Sequence, residues 1–123
     1  MTDVIRLVEA FKALEAPWTP MILAQIHGMD LKMARLEGTF VWHQHDDADE
    51  LFLVVDGDLE IRLRDRTLHL GPGELTVIPR GVEHLPVSEA GCNVLLLERA
   101  GTKNTGDADD ARTVDAPRHY RPS

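Results

Sequence analysis

Gly38-Thr-Phe-Val-Trp-His43-Gln-His45-Asp-Asp-Ala-Asp-Glu50-Leu-Phe-Leu-Val-Val-Asp-Gly57 places two histidines and a glutamate just ahead of a strongly apolar run. His43 and His45 are two apart, so on an extended chain their side chains point to one face. Glu50 is five beyond His45, the wrong parity for one unbroken strand. The polar segment Asp46 to Asp49 resets the phase, so that Glu50 opens the next strand and faces its predecessor. Two imidazoles and one carboxylate then converge across a hairpin. Leu51 to Val55 are apolar on both faces. That strand is expected to be covered on one side by a barrel interior and on the other by a further layer or a second subunit.

The rhythm continues on both sides. From Met21 to Glu98, short strand-like runs alternate with turn signals at His27-Gly28, Asp56-Gly57, Gly71-Pro72-Gly73, Arg80-Gly81 and Ala90-Gly91, the spacing of an all-β sandwich or barrel. Leu59, Ile61 and Leu63 alternate with Glu60, Arg62 and Arg64, a strand with one wet face. Ahead of the strands, Val4, Leu7, Val8, Phe11 and Leu14 recur at helical spacing, with Thr2 or Asp3 in the N-cap position and Pro17 and Pro20 as the stop. This stripe is expected to cover an edge of the fold or a partner subunit. The tail, 101–123, is polar and without period, and is expected to lie over the barrel or to be partly mobile. The expected organisation is one domain over 1–123: an N-terminal helix within 1–16, a barrel over 20–100 and the tail.

A second stretch, Gly73-Glu-Leu-Thr-Val-Ile-Pro79-Arg-Gly81-Val-Glu-His84-Leu-Pro86, supplies one more imidazole from a distant strand. Together the two stretches resemble the cupin superfamily: the first is similar to its H-x-H-x4-E-x6-G motif through His43, His45, Glu50 and Gly57, the second to its G-x5-P-x-G-x2-H motif through Gly73, Pro79, Gly81 and His84. The resemblance implies a small all-β jelly-roll barrel in which His43, His45, Glu50 and His84 bind a divalent metal ion. Two positions depart from the family pattern. Four residues separate Gly38 from His43 where five are commoner, and Ser88 stands where Asn is frequent; neither replaces a ligand. The ending Gly101-Thr-Lys-Asn-Thr-Gly-Asp107 is similar to that of short bacterial cupins.

The other candidates read as ordinary residues. His27 sits by a turn, His69 faces outward between Leu68 and Leu70, and His119 lies in the tail. Trp42 and Gln44 have the opposite parity to the histidines and point away from the site. Cys92 has no neighbour placed to activate it and reads as a small core or edge residue. Asp46 to Asp49 reads as a solvated loop. Arg35, Glu37, Arg99 and Tyr120 are candidate acid, base or positioning groups by residue type alone, with surface placement the simpler expectation.

Composition limits the partners. The 123 residues, with 28% charged and 43% hydrophobic, match one globular domain, and the net charge of −8 opposes nucleic acid. The longest apolar run falls far short of the ~20 residues that cross a bilayer. The first residues lack the basic start and apolar centre of a secretory signal. Cys92 is the one cysteine, which fits a reducing cytoplasm. Three imidazoles and one carboxylate on Mn, Fe, Co, Ni or Zn leave coordination positions free and a net charge of about +1, suited to a small anionic or enolisable molecule. Three readings stand: a metal-dependent oxidoreductase, lyase or isomerase, a small-molecule binding or sensing module, and a barrel with a structural metal. A homodimer is expected, because the apolar surface exceeds what one barrel interior needs.

Overall fold

The computed structural model describes residues 3–122. Seven antiparallel strands dominate: β1 (Met21–Ile26), β2 (Met29–Thr39), β3 (Glu50–Gly57), β4 (Leu59–Arg62), β5 (Thr67–Leu70), β6 (Leu75–Ile78) and β7 (Leu85–Arg99). They hydrogen-bond in the order β1-β2-β7-β3-β6, with β4 continuing past β3 along the same edge of β7 and pairing with β5. The last strand is therefore central. β2 runs beside β7 from Met29↔Arg99 to Thr39↔Val87. On its other edge β7 meets β3 from Leu51↔Leu97 to Gly57↔Cys92, and then β4 from Glu60↔Val87 to Arg62↔Leu85. The register slips between Leu36 and Gly38, opposite Glu89–Gly91, where the strands bend and the sheet curls into a jelly-roll barrel.

Period-two alternation sorts the side chains into two clusters. Ala34, Leu36, Phe52, Val54, Leu59, Ile61, Ile78, Val94 and Leu96 point inward, joined by Trp18, which stacks on Phe40 with ring centroids 4.4 Å apart. Met21, Leu23, Met33, Leu31 and Leu95 face outward and pack against Leu7, Ala10, Phe11 and Leu14. Leu51 and Leu53 continue this outer face toward Leu75 and Val77, their β6 partners, which are 59% and 50% exposed. The expected covering of β3 is thus present on the inside and incomplete on the outside.

The N-terminal expectation needs correction. The helix α1 spans only Leu7–Phe11, with Arg6 at its N-cap and no side-chain cap, so Asp3 does not cap it; Thr2 lies outside the described residues. Val4 and Val8 are exposed and do not join the packed stripe. A lone helix this short is marginal in water, and only the turn seated on Met21, Leu23 and Met33 is held helical. The tail lies over the barrel and is fastened there. Asp107 and Gln44 exchange hydrogen bonds, Asn104 donates to the Trp18 carbonyl, and Ile22 pairs with the backbone of Arg118 and Tyr120. No helix among the described residues is long and apolar enough to cross a membrane.

Candidate metal centre

His43, His45, Glu50 and His84 come together inside the barrel, each buried, with one potential ligand atom from each within 4.8 Å of the others. The route differs from a hairpin. β3 pairs with β6 and β7, not with the His43–His45 segment. Instead His43 and His84 form a two-way backbone bridge at 3.1 and 2.9 Å, and Gly81 donates to the His45 carbonyl, so the two motif loops are tied to each other. Glu50 then reaches the histidines from the neighbouring wall. Sequence parity located the turn but not the pairing partner, which is remote in the chain.

Hydrogen bonds orient the rings. His43 Nδ1 lies 2.8 Å from the Val41 carbonyl and His84 Nδ1 lies 2.9 Å from the Val82 carbonyl. A carbonyl only accepts, so each Nδ1 carries the proton and each Nε2 offers a lone pair to the cluster. His45 Nε2 and His84 Nε2 approach Glu50 Oε1 at 3.3 and 3.4 Å, and none of these three buried atoms has a hydrogen-bond partner. Buried acceptors aimed at one point without a donor cost free energy unless a cation fills it. The residues present therefore fit a divalent ion bound through three nitrogens and an oxygen.

Burial, helped by repulsion from His84, lowers His43 to about 4. Burial opposes ionisation of Glu50, but its neighbours His45 and His84 outweigh it and hold the carboxyl well below its ordinary value. The site is thus set up as neutral imidazole and carboxylate, the forms that bind metal. A prediction about the metal-free protein follows from His43. Between pH 6.5 and about 4 the unfolded chain binds a proton there that the native chain does not, so stability falls as pH drops through that window. The loss attributable to this group is at most about 3 kcal/mol. Urea melts of chelated wild type and His43→Gln at pH 7 and pH 4.5 measure it; equal pH slopes in the two would contradict this account.

The remaining sequence candidates lie elsewhere. Trp42 turns outward under the Arg64 guanidinium, 3.8 Å from its ring centroid. His27 is an exposed turn residue, His69 is exposed beside Glu60, and the exposed His119 bridges to Ile22 on β1. Arg35 pairs with Glu37, Arg99 is exposed, and Tyr120 packs against the α1 cluster; none of the four lines the cavity beside the site. Cys92 is buried, and burial pushes its thiol up. Asp46, Asp47 and Asp49 are exposed, yet Asp49 accepts hydrogen bonds from the Arg80 backbone and guanidinium and so pins one motif loop to the other. Ser88 donates to the Asp58 carbonyl at 2.6 Å, bracing the β3–β4 turn.

Two interior residues escaped the sequence reading. Lys32 and Glu98 form an ion pair at 2.8 Å inside the barrel, each side chain 1% exposed. Their neighbours Leu31, Met33, Leu95 and Leu97 are the ones that face outward. The one available signal was that both faces of these strands are too apolar to assign by alternation alone.

Comparison with known proteins agrees with this geometry. A family model described as a cupin domain matches residues 32–97. The structure resembles a cupin-2 domain containing protein from Shewanella frigidimarina, with 38% identity, TM-score 0.76 and coverage of 78% of this chain and 94% of that one. It also resembles protein NMB1881 from Neisseria meningitidis, with 31% identity, TM-score 0.73 and coverage of 80% and 100%. The uncharacterized protein YdbB from Bacillus subtilis is 33% identical over 63 residues, and the chain spans 56% of that relative's length, using 50% of its own. Motif, barrel and family match coincide on the same residues, and the chain belongs to the cupin superfamily.

Proposed function

We propose that this cupin holds a divalent metal ion on His43, His45, Glu50 and His84 and presents it to a small, oxygen-rich molecule. The observation that carries the reading is the set of buried, unpartnered acceptor atoms, His45 Nε2, His84 Nε2 and Glu50 Oε1, facing one another. Such an ion polarises a bound oxygen. The nitrogen-rich donor set suits Mn, Fe, Co, Ni or Zn rather than Mg or Ca. Charge favours an anionic or enolisable ligand: the ion contributes two positive charges and Glu50 removes one. A cavity beside the site, lined by Trp18, Phe40, Glu50, Phe52 and Glu98 among others, favours ligand access over a purely structural metal. Turnover and binding without turnover share this geometry, and product formation from a candidate substrate separates them.

Protein purified without an affinity tag is expected to carry about one metal ion per chain by elemental analysis. Chelation should lower Tm by roughly 10 °C while leaving a cooperative, folded β protein, since ligand at a hundredfold excess over Kd adds about 2.7 kcal/mol. Metal-free wild type, or a chelated chain without structure, would defeat this reading.

The chain is further proposed to act as one domain over 1–123 and to pair as a homodimer in the cytoplasm, where the single free thiol of Cys92 stays reduced. The supporting feature is the uncovered apolar face of Leu51, Leu53, Leu75 and Val77, which carries no charge on a chain of net −8. Light scattering at micromolar concentration should give twice the monomer mass. Leu75→Lys with Val77→Lys should give the monomer mass, and an unchanged mass would place the interface elsewhere.

A further inference from the structure

The cavity beside the candidate ligands has a volume of about 30 Å³. That is room for about two waters, so a molecule of more than a few atoms enters only if a wall moves. Ala34, Leu36, Phe52 and Leu96 line it from β2, β3 and β7, whose backbones are paired on both sides of the site and cannot yield singly. Asn104 is the wall contributed by the C-terminal tail. Residues 101–115 cross the site as a strap. Gly106 lies so close to the motif loop that a Cβ there would meet the Gln44 carbonyl and stand 3.2 Å from Cδ2 of His43. The Asp107 carboxylate accepts from Gln44 N at 2.9 Å, Arg112 donates to the Thr39 carbonyl at 3.0 Å, and the Arg112 guanidinium carbon is 4.9 Å from the ring centroid of Phe40, another cavity wall.

We propose that this strap is a lid, which lifts to admit the molecule bound at the metal and closes over it. The inference rests on the metal-centre reading above for what is admitted. The strap is braced within itself: Asn104 donates to the Arg112 carbonyl at 2.9 Å and accepts from Val114 N at 2.7 Å, and the hydroxyls of Thr105 and Thr113 meet at 2.6 Å. It therefore moves as one piece. Its ends are held, by Lys32 on the Thr102 carbonyl and by the pairing of Arg118 and Tyr120 with Ile22. Between them Thr105 is the one buried residue. Exposed hydrogen bonds with almost no apolar burial make a segment that opens well before the fold does.

The test mixes the cobalt-loaded full chain with azide or with benzohydroxamate and follows visible absorption in stopped flow. Asp107→Ala with Arg112→Ala removes the fasteners to Gln44, Thr39 and Phe40 and leaves all four candidate ligands in place. Benzohydroxamate is expected to associate about tenfold or more faster than with wild type, while azide, small enough for the closed cavity, changes by less than about twofold. Gly106→Ala reaches the same end by adding a methyl that keeps the strap from seating, with no polar group lost. Unchanged benzohydroxamate rates in both variants, or equal acceleration of both probes, overturns the proposal. A second arm needs no metal. In a Trp42→Phe background Trp18 is the one tryptophan, 8% exposed, with its carbonyl bonded to Asn104 of the strap. Acrylamide quenching of the metal-free chain should rise about threefold in the loosened variants, with melting curves showing the fold intact. Unchanged quenching overturns the lid. Wild type that takes up no cobalt defeats the metal-centre reading, and the quenching arm then decides whether the strap opens.

Discussion

His84→Ala and His45→Ala should leave identical purifications with less than about a tenth of the wild-type metal per chain, while His69→Ala and His119→Ala keep all of it. Each of the first two removes a buried nitrogen that has no hydrogen-bond partner and faces the cluster. His69 and His119 are exposed and do not belong to the cluster. Glu50→Gln keeps the shape and removes the negative charge, so binding should weaken to an intermediate level. Because the ring of His84 is fully buried, its removal also opens a void. Circular dichroism and melting of each variant separate lost ligation from lost folding, and His84→Gln fills most of that space. The same competition predicts that wild-type occupancy falls as pH drops below ~6.5, where free imidazole takes up a proton. Uniform loss across all histidine variants, or full metal in His45→Ala and His84→Ala, would return these residues to an ordinary structural role.

Gly57→Ala should be among the most destabilising single-methyl additions in the chain, costing about 3 kcal/mol or more and lowering Tm by roughly 10 °C. Gly57 adopts φ +87, and a Cβ placed there would lie 2.4 Å from the Gly91 carbonyl oxygen and 2.8 Å from Cys92 Cα. Both obstacles are backbone of the central strand, which cannot swing aside as a side chain does. Gly73, the opening glycine of the second motif, has a similar φ of +81 and nothing within 4 Å. Gly73→Ala therefore meets only the backbone cost, about 1 kcal/mol. Denaturant melts of the two variants measure the contrast. Equal losses would show that dihedral strain, not the approach of Gly91, fixes glycine at 57.

The cluster of candidate ligands and most of the architecture were legible in the sequence because they rest on local signals. Turn glycines mark the strand ends, Pro79 and Gly81 set the approach to His84, and His43, His45 and Glu50 stand in a short motif. Pairing was not legible. Glu50 was expected to face the histidines across a hairpin, whereas its strand bonds to residues 75–78 and 92–97. Hydrophobic alternation identifies two faces and leaves open which one is inside. Lys32 and Glu98, each beside outward-facing leucine or methionine, are buried, and the sequence reading assigned them no place. The helix was overextended because its apolar spacing is locally good, and only packing on β1 and β2 decides where it stops.

The central position of β7 constrains how the chain is made. β2 and β3 do not touch until the last strand slides between them, so the sheet has no stable half: its first two-thirds, including all four candidate ligands, are synthesised before the strand that joins them. Such sequence-distant pairing makes for slow folding. On the ribosome, His43, His45, Glu50 and His84 would wait in an unclosed sheet with exposed apolar segments such as Leu51–Val55, open to chaperones and to wrong metals alike. Insertion of residues 85–99 would then close the barrel in a single step, and metal selection would belong to the finished chain.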